Sequence, residues 1–112
     1  MKNIIISLIL LFSTQLLSQK KELKLAQKAY NKGDLLSAES IINQNKDLFD
    51  SSEDKIKNQV LFLTAKINND NKNYELAFES YMLLKLIPSM QSEINSNINS
   101  FRETLIDKAI NE

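Results

Sequence analysis

The chain has 112 residues, with 14 basic and 14 acidic residues and neither cysteine nor histidine. Disulfides, thiolate and imidazole metal sites, and nucleophile–base pairs that need cysteine or histidine are therefore excluded. The balanced charge, the single arginine at position 102 and the lack of an evident basic stripe argue against a nucleic-acid partner. We expect no cofactor.

The N-terminus has the pattern of a secretory signal peptide. Lys2 precedes an apolar run over residues 4–12, and small or polar residues follow. The run is too short to span a bilayer, which needs about 20 apolar residues. We predict that residues 1–18 are removed and that 19–112 is periplasmic or secreted, without stable membrane insertion after cleavage. An uncleaved N-terminal anchor is the alternative.

The remainder is predicted to be all-α, because it has one glycine, one proline and apolar residues at helical spacing. About five helices are expected after the signal peptide. The first four pair as antiparallel hairpins, and the fifth stands at the C-terminus. The predicted bounds are 20–49 for the first hairpin, 53–87 for the second and 89–111 for the C-terminal helix.

Turn chemistry predicts several helix ends. Gly33 suits the left-handed position after a first helix, and Asp34 suits the N-cap of the next. Ser51 and Asp54 have the spacing of a capping box for the third helix. Pro88 should end the fourth helix. The residues expected to face inward on that fourth helix are Tyr74, Ala77, Phe78, Tyr81 and Leu84.

One pattern occurs twice, 39 residues apart. The residues of the first copy are Ala26, Leu35, Ala38 and Ile42, and those of the second are Ala65, Tyr74, Ala77 and Tyr81. Self-similarity at a fixed period indicates a stacked helical repeat. The paired alanines should lie where the two helices of each hairpin approach most closely, and a larger side chain there would cost about 1–3 kcal/mol.

The two copies resemble the tetratricopeptide repeat (TPR). The first supplies the small residue Ala26, the turn Gly33-Asp34-Leu35 and Ala38, and the second supplies the equivalents from Ala65 to Tyr81. The usual period of that family is about 34 residues, so the extra residues are placed around 49–54. Lys72 stands where the first copy has glycine. The signal peptide and first hairpin look like the N-terminal part of exported TPR proteins of Bacteroidetes such as flavobacteria. An unrelated helical bundle is the alternative.

The resemblance implies a short TPR-like solenoid that acts as a non-catalytic protein–protein interaction scaffold. Its groove would take an extended peptide or a carboxylate. The candidate groove residues are Lys24, Gln27, Lys28, Asn31, Lys66 and Asn69. The alternative is that these residues only form a solvated helix face. The acidic residues between positions 47 and 54 fit a solvated turn, with a weak calcium site as the alternative.

The C-terminal helix leaves further alternatives open. Residues 108–111 echo residues 28–31, so the helix looks like the start of a third repeat. It would then be a capping helix, or the chain would be a shortened version of a longer TPR protein. Ile106 and Ile110 give the helix a second apolar face through which the chain could form a homo-oligomer. An enzyme would have to rely on carboxylate or lysine chemistry alone.

Overall fold

A computed structural model describes the backbone of residues 2–96, 99, 102, 103 and 110, and the side chains of this set from residue 15 onwards. Within this part the chain is all-helical and has no strand, which confirms the all-α class. The elements are α1 (Lys2–Asn31), α2 (Leu35–Gln44), α3 (Lys46–Asp50), α4 (Asp54–Asp70), α5 (Tyr74–Leu84) and a 3₁₀ turn (Pro88–Met90) that leads into helical residues 91–96.

The chain forms two compact units, Met1–Val60 and Leu61–Glu112. In the first unit α1 packs against α2 and α3. Its buried apolar side chains, each at most 4% exposed, are Leu23 and Ala26 of α1, Ala38 of α2, Phe49 of α3 and Ile56 of α4. A side chain larger than alanine at Ala26 or Ala38 would have to displace a neighbour, because both are 0% exposed.

The first helix begins earlier than its predicted start near residue 20. It runs from Lys2 to Asn31 without interruption. No glycine or proline occurs before Gly33, and the segment offers no local signal that would stop a helix. None of the helices, as far as they are described, is both long and apolar enough to cross a membrane.

Asn45 divides the predicted second helix, which was expected to continue to about residue 49, into α2 and α3. Its side-chain Nδ2 donates to the carbonyl of Ile41 at 2.8 Å and to Oε2 of Glu22 at 3.3 Å. Its backbone amide also bonds to the carbonyls of Ile41 and Ile42. Asparagine competes with the helix for backbone groups in this way. The break leaves Phe49 buried in the first unit, at 3% exposure.

The two hairpin turns have the same backbone hydrogen bonds, displaced by 39 residues. The amide of Gly33 donates to the carbonyl of Tyr30, and that of Lys72 to Asn69, at 2.9 and 3.1 Å. The next amide in each turn reaches back five residues, from Asp34 to Ala29 and from Asn73 to Asn68, at 2.9 and 2.8 Å. These two bonds define the Schellman motif at a helix C-terminus.

The left-handed position of this motif is occupied by different residues in the two turns. Gly33 has φ +83°, as predicted, and Lys72 has φ +67° at the equivalent place. Lysine has a Cβ that clashes in this conformation, whereas glycine does not. Asp34 is the predicted N-cap of α2, since its Oδ1 accepts from the amide of Ser37 at 3.1 Å. Hydrogen bonding from Ser37, from its side chain first and its backbone amide second, lowers the pKa of the Asp34 carboxyl.

The second unit has a core that α4, α5 and the segment after Pro88 share. Its buried members are Ala65, Ala77, Tyr81, Leu84, Met90 and Ile94, and the half-buried Tyr74 packs against them. The rings of Phe62 and Tyr81 meet edge to face, with 6.1 Å between their centroids. Burial, with the charge of Asp70 as a smaller contribution, raises the pKa of Tyr81 to about 12.

Two local predictions are wrong. Phe78 was expected to face inward but is 42% exposed, because α5 is apolar around most of its circumference and periodicity does not select one face. Ser51 does not form the predicted capping box: α4 begins only at Asp54, and the Ser51 hydroxyl donates to the carbonyl of Leu48 at 3.0 Å.

Eleven of the 23 residues of the predicted C-terminal helix lie outside the described residues. Met90 and Ile94, the first two positions of its apolar stripe, are buried at 9% and 0% exposure. The positions of the stripe that the structure does not describe are Ile98, Phe101, Leu105 and Ala109. The proposed echo of the repeat at 108–111 and the self-association residue Ile106 also fall outside, apart from Ile110, which is 75% exposed.

Candidate protein-binding surface

The second half of α1 presents a row of lysines to solvent, which we call the lysine face. It consists of Lys20, Lys21, Lys24 and Lys28, all exposed, together with Leu25, which is 42% exposed. Residues three and four apart on a helix are neighbours, so these ammonium groups form one continuous strip. The expectation that the chain lacks a basic stripe is therefore wrong at this place.

Glu22 does not neutralise the lysine face. It is the one acidic residue between positions 15 and 33. Its carboxylate accepts from Nδ2 of Asn45 at 3.3 Å, at the junction of α2 and α3. The hydrogen bond that divides α2 from α3 therefore also holds this negative charge against the body of the first unit.

A groove lies beside the lysine face, where α1 meets the beginning of α4. It has a volume of about 240 Å³. Buried Leu23 and Ile56 form its floor, at 4% and 3% exposure. The polar residues along its edges are Lys20, Lys24 and Gln27 of α1 and Glu53, Lys55 and Gln59 on the other side. An apolar floor between polar edges is the usual arrangement for binding a peptide side chain.

The structure brings four of the six candidate groove residues together. Lys24, Gln27, Lys28 and Asn31 line one shallow cavity along α1, with a volume of about 600 Å³. Gln27 and Lys24 also border the groove at α4. Sequence reasoning missed Lys20 and Lys21, although the spacing of lysines at positions 20, 24 and 28 was available as a signal.

The other two candidates, Lys66 and Asn69, belong to α4 within the second unit. Nζ of Lys66 lies 4.7 Å from the centroid of the Phe62 ring, in a cation–π contact. Burial lowers the pKa of Lys66, and the charges of Glu93 and Asp70 partly oppose that shift. Lys66 thus already interacts with groups of its own unit, and its binding of an external carboxylate stays a prediction.

Asn69 carries an unsatisfied acceptor. Its Oδ1 is buried and has no hydrogen-bond partner among the described residues. The backbone carbonyl of the same residue accepts from Lys72 in the turn. Asn69 therefore has a structural part in the second hairpin turn, and its binding role is untested.

Two of the acidic residues near the α3–α4 junction lie at helix starts, whereas Asp50 is the last residue of α3. Asp47 lies in the first turn of α3, and Asp54 in the first turn of α4. Negative charge there complements the helix dipole. In the part of the chain that the structure describes, no three acidic side chains converge as they would around a metal ion.

Comparison with known proteins identified no related protein. No protein-family model matches the sequence, and neither the curated proteins nor the solved structures give a significant match.

Proposed function

We propose that this protein is an exported, non-catalytic TPR-like module that binds a protein segment on α1. The main support is the lysine face with its adjoining groove, which together offer exposed charge and a recess with an apolar floor between α1 and the start of α4. The repeated turn, with its hydrogen bonds displaced by 39 residues, supports the repeat interpretation. The proposal includes antiparallel helical hairpins that stack as a short TPR-like solenoid.

The absence of catalysis is proposed on chemical grounds. The sequence has no histidine and no cysteine, so the usual general base and the usual nucleophile–base pairs cannot be built. A protein partner is favoured over nucleic acid because the chain is nearly neutral. Removal of residues 1–18 takes away Lys2, one of the 14 basic residues, and leaves 13 basic and 14 acidic residues. Lysines along one helix of a near-neutral chain suit an acidic protein segment.

Site-specific photocrosslinking tests the binding surface. A photoreactive amino acid replaces Lys24 in the lysine face, and in a matched variant it replaces Lys46, an exposed lysine of α3. In cells that make the protein, we expect Lys24 to give a discrete crosslinked protein product and Lys46 to give none. Equal labelling from both positions, or none from Lys24, would count against a binding role for α1.

Export is tested on the same cells. The proposal expects mass spectrometry to find the mature N-terminus at Gln19 and fractionation to find the protein outside the cytoplasm. Retention of Met1 on a cytoplasmic protein would contradict the signal peptide. Retention of the N-terminus on a membrane-bound protein would instead favour the uncleaved anchor.

A further inference from the structure

A second exposed surface, on α5, has no role in the proposed function. Leu76 is 55% exposed, Met82 40% and Leu83 59%. Leu86, two residues beyond the end of the helix, is 79% exposed. We call these four residues the leucine face. A cluster of exposed apolar side chains of this kind marks an interaction site.

The charges on α5 have the opposite sign to those of the lysine face. Glu75 and Glu79 are exposed one turn apart on the same helix as the leucine face. Lys24 and Lys28 have the same spacing on α1. Leu25 supplies an exposed apolar side chain between them, as Leu76 does beside Glu75. Two helices with these patterns can pair acid with base while they bury their leucines.

We propose that the occupant of the lysine face is the α5 helix of a second copy of this chain. The inference rests on the proposed function, because it names the partner of the same α1 surface. Each copy has one α5 helix and one lysine face, and each contact joins the α5 helix of one copy to the lysine face of the next, so the contact is head-to-tail. Contacts of that type close into rings or continue into chains of copies.

Symmetric pairing of α5 with α5 is less favourable. Glu79 is the central residue of Tyr74–Leu84. A two-fold axis through the middle of an antiparallel pair would therefore bring the two Glu79 carboxylates together. Like charges that face each other at an interface weaken association. Pairing with the lysine face instead brings the glutamates of α5 next to lysines.

Charge-reversal variants test the pairing of α5 with the lysine face. They are made in the mature protein, purified after export from the cell. One variant carries Lys24→Glu and Lys28→Glu, and a second carries Glu75→Lys and Glu79→Lys. Analytical ultracentrifugation over a range of concentrations measures self-association, and circular dichroism verifies helicity. We expect each variant alone to associate about tenfold or more weakly than the unaltered chain, since two attractive pairs become repulsive.

Rescue distinguishes pairing from general charge effects. An equimolar mixture of the two variants, and a single chain with all four changes, should recover association because each acidic face again meets a basic one. Matched controls are Lys46→Glu on α3 and Glu39→Lys on α2, both exposed, which should leave association unchanged. Leu83→Asn should weaken it, whereas Leu36→Asn, at an 80% exposed site on α2, should not.

The outcomes separate the inference from the proposed function. A chain that stays monomeric at all concentrations, or association that survives both charge reversals, overturns the inference. If Lys24 still crosslinks to a different protein, the proposed binding role of α1 stands without self-assembly. If association is absent and Lys24 crosslinks to nothing, both fail. Association with rescue by charge exchange, and a Lys24 crosslink of twice the chain mass, supports both.

Discussion

Substitutions at the two left-handed turn positions measure the strain that the second turn carries. Lys72 has φ +67° where the first turn has Gly33 at φ +83°. A residue with a Cβ pays about 1–2 kcal/mol in this conformation. Glycine loses more conformational entropy on folding than a residue with a side chain, which costs about 0.4–1 kcal/mol of stability. We therefore expect Lys72→Gly to raise the free energy of unfolding by about 0.5–1 kcal/mol.

The reverse substitution should lower stability by a similar amount. A Cβ added at Gly33 would meet no atom within 4 Å, so Gly33→Ala costs only the backbone strain, less the entropy that alanine saves. The expected loss is again about 0.5–1 kcal/mol. Lys72→Ala is the control, because it removes the charge and keeps the strain, and it should change stability little.

Urea denaturation followed by circular dichroism measures both effects. The slope m should stay the same in all three variants, so that the midpoints report stability alone. The reasoning would be refuted by a lower midpoint for Lys72→Gly, or by a Gly33→Ala midpoint equal to that of the unaltered chain. An equal rise for Lys72→Ala and Lys72→Gly would show that charge, and not strain, is what matters at this position.

Three further predictions concern a buried alanine, the titration of Tyr81 and the side chain of Asn45. Ala65→Leu should destabilise the chain by about 1–3 kcal/mol through overpacking, as urea midpoints can show, while the 80% exposed Leu36 should tolerate alanine. Tyr81, with its pKa raised to about 12, holds a proton that the unfolded chain loses near pH 10. Stability should therefore fall between pH 10 and 12 by up to about 3 kcal/mol. Tyr81→Phe should remove the part of this decline that is due to Tyr81. If the stability of both chains fell equally between pH 10 and 12, Tyr81 would not be its cause. Asn45→Ala should lower stability by about 1 kcal/mol, as thermal unfolding can measure, because its side chain donates two hydrogen bonds.

The features that the sequence predicted best depend on local chemistry. Gly33 and Asp34 were assignable because a glycine after a helix and a carboxylate before the next one act on backbone groups within a few residues. The all-α class followed from composition and apolar spacing over long stretches. The second turn was harder to predict, since Lys72 has no intrinsic preference for φ +67°.

The features that the sequence missed depend on distant contacts or on ambiguous periodicity. The break at Asn45 involves Glu22, which is 23 residues away. Phe78 and Tyr81 both belong to a helix that is apolar around most of its circumference, and only packing decides that Tyr81 is 1% exposed and Phe78 42%. In the candidate site, the lysine spacing on α1 was visible in the sequence, but the groove with Ile56 on its floor required the fold.

The helix α4 limits how this protein can be divided. The boundary between the two compact units falls between Val60 and Leu61, and α4 runs from Asp54 to Asp70. A fragment that ends at the boundary would stop in the middle of a helix and expose backbone groups that are now hydrogen-bonded. A swap of hairpins between proteins of this kind, whether by recombination or by design, would succeed more readily with a junction before Asp54, in the turn that precedes α4, than between Val60 and Leu61.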